Sequence, residues 1–245
     1  MCGFCGFTGQ IADREQKLRD MAEVITHRGP DSEGTYLDDG LAMAFRRLSI
    51  IDLEGGSQPL YNEDKTLVLL FNGEIYNYRE LRQKLLESGH VFVTETDSEV
   101  LVHGFEEWGE ALLPRLRGMF AFVLWNTVER SLFIARDYFG IKPMHYTLLP
   151  NGDLIFASEI KSILRHPGYV KEFNEAALDN YLSFQYSLPG ETFFKNIFCL
   201  PPAHFLRYKD GRVSEHRYWE PVFHPEEAMS LEEAVDAIDR VFTDS

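Results

Sequence analysis

Cys2 follows Met1 directly, in the string Met1-Cys2-Gly3-Phe4-Cys5-Gly6. Removal of Met1 would leave one residue carrying both a thiol and a free α-amine. A thiolate attacks carbonyl carbon well, yet an ordinary cysteine, with pKa about 8.5, is mostly thiol at neutral pH. A terminal amine with pKa roughly 7.7–8.0 beside it can take the proton. Nucleophile and base would then belong to the same residue. Position alone does not separate this from a cysteine placed by chance, so the deciding partners must lie elsewhere in the chain.

Attack on a carbonyl creates an oxyanion, which needs N–H donors. Asn72-Gly73 follows an apolar run and offers a side-chain amide and an unhindered backbone N–H on adjacent residues. The same dipeptide also reads as a plain strand-to-loop turn. An amino-acid substrate would further need a cation for its carboxylate and carboxylates for its ammonium. Arg47 suits the first, because its planar fork grips a carboxylate at two points. Glu74 and Asp97 suit the second. Singly, these three also read as a surface arginine, a solvated glutamate and a helix cap. Cys5 makes a Cys-x-x-Cys spacing with Cys2, but zinc needs more ligands, and His27 and Cys199 complete no obvious set. The expectation is no metal, with Cys5 turned into the packed face of a strand.

These side chains need elements to hold them. Residues 3–8 read as a strand, and Leu18, Met21, Ala22 and Ile25 mark a helix over 14–25. His27-Arg28-Gly29-Pro30-Asp31 ends that helix. Residues 41–45 and 66–71 read as strands, with Asn72-Gly73 turning the chain after the second. A helix over 78–87 carries Leu81, Leu85 and Leu86 on one face, and Asp97 is the expected N-cap of another. Strands follow at 120–125, 131–135, 144–149 and 154–157, with Asn151-Gly152 as a hairpin turn. Helices are expected at 158–164 and 174–183, then paired strands at 203–208 and 213–218 around Asp210-Gly211. Helices early and late around two strand sets predict an α+β layered fold rather than a βαβ repeat.

The 245 residues are 44% hydrophobic and 13% aromatic, enough for a substantial core. The formal net charge of −15 argues against nucleic-acid binding, which needs clustered Lys and Arg. Three cysteines without a disulfide framework suit a reducing compartment. Charged residues from Asp13 onward leave no room for a signal peptide, and no apolar run reaches about 18 residues. The expected location is cytoplasmic.

Eight strings occur in order: Met1-Cys2-Gly3, His27 to Asp31, Arg47-Leu48-Ser49-Ile50-Ile51-Asp52, Gln58-Pro59-Leu60, Phe71-Asn72-Gly73-Glu74-Ile75-Tyr76-Asn77, Thr96-Asp97-Ser98-Glu99-Val100, Arg117 to Phe122 and Ala135 to Pro143. Over roughly residues 2–218 the chain resembles the glutaminase domain of glutamine-hydrolysing asparagine synthetases, among the N-terminal-nucleophile (class II) amidotransferases. The resemblance implies a four-layer αββα sandwich of two stacked, mainly antiparallel sheets. It implies that Cys2 is the nucleophile with its own amine as base. Asn72 and Gly73 would form the oxyanion hole, Arg47 would bind the carboxylate of glutamine, and Glu74 and Asp97 its ammonium. A tyrosine at 138 and Met144-His145 depart from the family pattern, at positions that look like scaffold.

Residues 1–218 thus read as a glutaminase domain and 219–229, with two prolines and three glutamates, as a linker. Ser230-Leu231-Glu232-Glu233 opens an amphipathic helix through 245 like a capping box, the expected start of a separate synthetase domain. Packing of this helix back onto the first domain stays open. The family's Ser-Gly-Gly-x-Asp-Ser phosphate loop is absent, so ATP and Mg are expected only in that other domain, with no cofactor here. The expected partners are glutamine, a C-terminal synthetase domain and a possible homodimer mate, with no nucleic acid and no membrane. The acceptor of the ammonia could be aspartate or another acid, and a non-catalytic glutamine-binding module is the alternative to an enzyme.

Overall fold

A computed structural model describes residues 1–48, 56–225 and 229–244. Two six-stranded sheets lie face to face. The first runs, in spatial order, β10 (Phe198–Cys199), β8 (His145–Leu148), β9 (Leu154–Ala157), β1 (Gly3–Thr8), β3 (Leu41–Arg47) and β2 (Ser32–Leu37). The second runs β12 (Arg212–Arg217), β11 (His204–Lys209), β7 (Ser131–Arg136), β6 (Gly118–Asn126), β5 (Leu67–Ile75) and β4 (Leu60–Tyr61). Every strand pair is antiparallel.

The layering follows from alternation along the strands, since successive side chains point to opposite faces. Phe4 of β1, Met43 and Phe45 of β3, Val68 and Leu70 of β5, and Val123 and Trp125 of β6 pack together between the sheets. The alternate residues Cys5, Phe7, Ala42 and Ala44 face outward onto Leu18, Met21 and Ala22 of α1 (Arg14–Glu23) and Ile163 of α4 (Ile160–Ile163). On the other side Leu67, Leu69 and Phe71, with Phe120 and Phe122, pack on Leu81 and Leu85 of α2 (Tyr78–Glu87) and Val100 to Val102 of α3 (Glu99–Trp108). The result is the expected four-layer αββα sandwich. Cys5 is fully buried, and burial pushes its thiol up to about 12, so it is an inert core side chain.

Several boundaries differ from the sequence reading. β5 does not end in a turn at Asn72-Gly73 but continues through Ile75, because β6 pairs with it residue for residue from Leu67↔Asn126 to Ile75↔Gly118. β2 went unread: Ser32–Leu37 lacks an apolar alternation and forms an exposed edge strand through its pairing with β3. Leu86 is 45% exposed and lies off the buried face of α2. Asp97 caps nothing. α3 starts at Glu99, preceded by Ser98, and the Asp97 carboxylate instead accepts a hydrogen bond from the Ile75 backbone N–H at 2.8 Å.

The later elements match more closely. α5 (Glu175–Phe184) is capped by Asn174, whose side chain accepts from the Ala177 N–H. α6 (Leu231–Asp244) opens on the expected capping box, with Ser230 N and Oγ bonded to the Glu233 carboxylate and Glu233 N bonded back to Ser230 Oγ. Its apolar side is exposed at Leu231, Val235, Ile238 and Phe242. Ser49–Asp52 of the Arg47 string and residues 226–228 of the expected linker lie outside the described residues. Among the described residues no helix is long and apolar enough to cross a membrane.

Candidate active site

The same alternation that builds the core delivers the polar residues. Cys2 is in step with Phe4 on β1, Arg47 with Phe45 on β3, and Asn72 and Glu74 with Leu70 on β5. All four therefore stand at register positions on the inner faces, at one end of the sandwich. β1 and β3 pair with Gly3 opposite Arg46, so Cys2 and Arg47 come level across the sheet. The β5–β6 ladder sets Asn72 and Glu74 on the facing sheet, and the segment before α3 brings in Asp97. Cys2, Arg47, Asn72, Gly73, Glu74 and Asp97 line one cavity of about 260 Å³. Every site residue expected from the sequence is brought to this place.

Cys2 is held by its surroundings. Its carbonyl accepts from Arg28 Nε at 2.9 Å, and Arg28 Nη1 lies 3.0 Å from Glu159. The Arg28 side chain crosses so close that a Cβ on Gly3 would meet its Cδ at 2.9 Å. The Cys2 sulfur is 3.4 Å from the Leu48 N–H, which donates to it, and 3.6 Å from the Leu48 carbonyl. The thiol is thereby aimed into the cavity end rather than into the core.

Asn72 is 2% exposed, and its Nδ2 has no hydrogen-bond partner among the described residues. A buried amide donor without an acceptor is costly, commonly about 1–3 kcal/mol, and such exceptions need a reason. A donor turned toward a cavity beside a thiol is placed to meet charge that forms there. Gly73 is required by close packing: a Cβ would sit 2.2 Å from the Met119 carbonyl oxygen and 2.8 Å from Phe120 Cα.

The two acids of the cavity are electrostatically uncomfortable. Burial pushes the Asp97 carboxyl up to about 6, and the neighbouring Glu74 charge adds to the rise, against the Ile75 N–H bond that lowers it. Burial also raises Glu74, partly offset by Lys142. Two raised carboxylates side by side attract a cation, since an ammonium between them relieves both. Arg47 lines the same cavity from the facing sheet and is 7% exposed.

Sequence reasoning left out Lys142, Gln58 and Met119, which also line the cavity. All three fall within the family-like strings, Gln58 in Gln58-Pro59-Leu60, Met119 in Arg117 to Phe122 and Lys142 in Ala135 to Pro143, which was the available signal. Gln58 clasps the β5 backbone, donating to the Phe71 carbonyl at 2.9 Å and accepting from its N–H at 2.6 Å. Lys142 is 6% exposed at the end of a turn organised by buried Asp137, which accepts from the N–H groups of Phe120, Phe139, Ile141 and Lys142.

Two stacked antiparallel sheets between helices, with a cysteine at the start of the first strand, define an N-terminal-nucleophile amidotransferase fold. The glutamine phosphoribosylpyrophosphate amidotransferase of B. subtilis shares it, with a TM-score of 0.65 over 90% of this chain and 50% of that one, at 18% identity. The chain belongs to the glutamine amidotransferase domain family, whose model matches residues 1–219. It is 42% identical over 97% of its length to asparagine synthetase [glutamine-hydrolyzing] 1 of Bacillus subtilis (strain 168), and 44% identical over 84% to asparagine synthetase [glutamine-hydrolyzing] 2 of that organism. It spans 39% and 28% of those two relatives.

Proposed function

We propose that this chain hydrolyses the side-chain amide of glutamine and supplies the ammonia for an asparagine synthetase reaction. The observation that carries the reading is the convergence in one cavity of a near-terminal thiol, a buried amide donor without a partner, an arginine and two destabilised carboxylates. Each feature answers one part of glutamine.

In this reading Arg47 grips the α-carboxylate, and Glu74 and Asp97 hold the α-ammonium. Those contacts hold the side-chain amide against Cys2. Met1 lines the cavity beside Cys2, so its removal both clears space and frees the Cys2 amine. That amine takes the thiol proton, and Sγ attacks the amide carbon. Asn72 Nδ2 and the Gly73 N–H stabilise the resulting oxyanion. The amine then returns its proton to the leaving nitrogen, the C–N bond breaks and ammonia departs. Water adds to the γ-glutamyl thioester, releasing glutamate and restoring the thiol.

The similarity to two asparagine synthetases supports aspartate, activated by ATP, as the acceptor of the ammonia. The relatives' greater length and the exposed apolar side of α6 support a synthetase portion that covers that side, with ATP and Mg confined to it. The test is glutaminase activity with intact mass measured alongside. Wild-type chain lacking one methionine should release glutamate, and Cys2→Ala should release none. Activity retained in Cys2→Ala, or equal activity in chain that keeps Met1, overturns the mechanism. Glutamine binding without turnover in fully trimmed protein would instead mark a binding module.

A further inference from the structure

A second polar cluster lies away from this cavity, where the β4–β5 turn meets the outer helices. It brings together Glu63, His90, His103 and Glu106, whose candidate ligand atoms all lie within 4.8 Å of one another. Glu63 belongs to the turn after β4, His90 follows the end of α2, and His103 and Glu106 stand one turn apart on α3. His103 Nδ1 is 3.3 Å from Glu63 Oε2, and His90 Nδ1 is 3.5 Å from Glu63 Oε1 and 3.9 Å from Glu106 Oε2.

Both imidazoles are oriented the same way. The Nε2 of His103 faces the Glu99 carboxylate at 3.4 Å, and the Nε2 of His90 faces Glu107 at 3.4 Å. This leaves each Nδ1 turned toward Glu63. His103 is 1% exposed, and its Nδ1, although 3.3 Å from Glu63 Oε2, makes no well-aligned hydrogen bond among the described residues. A histidine whose far nitrogen meets a carboxylate while its near nitrogen faces further ligands is the arrangement that metal sites use to fix the tautomer. Glu106 is also steadied, because Asn62 Nδ2 donates to its Oε2 at 3.2 Å.

We propose that Glu63, His90, His103 and Glu106 bind a divalent cation of the zinc class. Two imidazole nitrogens and two carboxylate oxygens suit zinc, which is held tetrahedrally at about 2.0–2.2 Å from such ligands. Ligands on a tetrahedron of that size are about 3.3 Å apart, close to the shorter separations here. Four carboxylates around two imidazoles leave negative charge that a divalent cation neutralises. The cation joins the β4–β5 turn, the end of α2 and α3. Through His103 it also braces Glu99, which accepts from the Val93 and Thr94 N–H groups just ahead of Asp97. The site is structural, and nothing in the glutamine chemistry passes through it.

The probe is zinc chloride titrated calorimetrically into Cys2→Ala, Cys199→Ala protein, a background that removes both partly exposed thiols. One saturable equivalent, micromolar or tighter, is expected, with a higher melting temperature when zinc is present. His90→Gln and Glu106→Gln lie at half-buried and exposed positions and are expected to fold. Each should weaken zinc binding at least about tenfold, the scale on which even outer-shell changes act. His103→Gln should abolish the thermal shift, and cobalt(II) should give the visible absorption of a tetrahedral site. No saturable binding overturns the proposal, and so does binding that His90→Gln and Glu106→Gln leave unchanged.

Discussion

Three acids stand at alternate positions before and at the start of α3, and the structure treats each differently. Glu95 is exposed and pairs with Arg82 at 3.0 Å on the surface. Asp97 is held in the candidate-site cavity by the Ile75 N–H, with Glu74 as a like-charged neighbour. Glu99 is buried at 1% exposure, yet burial is outweighed by hydrogen bonds from His103, Thr94 and the Val93 and Thr94 backbone, which hold it below the usual range. Burial alone therefore does not decide the state of a carboxylate. The balance of donors and neighbouring charge does: Glu99 gains side-chain donors from His103 and Thr94, whereas the backbone N–H bonds to Asp97 do not offset its burial and the Glu74 charge. Glu99 is satisfied within the fold, while the raised Asp97 carboxyl fits the proposed role of holding a substrate ammonium.

The largest effect should come from the satisfied acid. Glu99→Ala leaves the Val93 and Thr94 N–H groups and His103 without their acceptor, and should cost about 3–5 kcal/mol in a urea unfolding experiment, as for breaking a buried pair. A loss under about 1 kcal/mol would break the contrast. Asp97→Asn should act on binding instead. Removing a charged hydrogen bond to the ammonium is worth about 1.5–3 kcal/mol, so KM for glutamine should rise roughly ten- to hundredfold.

Stability should move the other way in Asp97→Asn. The folded carboxyl binds its proton more tightly than the unfolded one, so ionising it lowers stability as pH rises from the unfolded value to about 6. The variant should lack that decline, and its melting temperature relative to wild type should be highest above pH 6. The wild-type KM should in turn rise as pH falls through about 6, because a protonated Asp97 no longer attracts the ammonium. A pH-independent KM between 5 and 8, on the order of those values, would remove Asp97 from the clamp. The smallest effect belongs to Glu95→Gln, which should change stability by less than about 0.5 kcal/mol and leave KM alone, as exposed ion pairs do.

Legibility followed the same division. Continuous apolar runs located nearly every interior strand, and α2 matched its expected bounds because Leu81 and Leu85 recur at helical spacing. Asn72-Gly73 misled locally. Its turn propensity is a short-range preference, and the ladder to β6 overrides it by pairing both residues within a strand. Asp97 misled for the same kind of reason, since an acid before a helix resembles a cap until a distant N–H, that of Ile75, takes the side chain. β2 has no apolar pattern to read, because an edge strand faces solvent and owes its existence to β3.

The sequence by itself determined the chemistry on offer: a thiol next to the chain start, an amide, an arginine and two acids, in strings that resemble one family. Their faces follow from parity only because β3 runs on to Arg47 and β5 to Ile75, which the strand ladders decide. Only the tertiary structure decided that these residues from two sheets and one loop share a cavity. It alone showed which acids are destabilised, that Lys142 joins them, and that two histidines from different segments turn their nitrogens toward one glutamate. The reason is that side-chain direction is a local property of the backbone, whereas proximity, burial and the supply of hydrogen-bond donors are set by elements far apart in the chain.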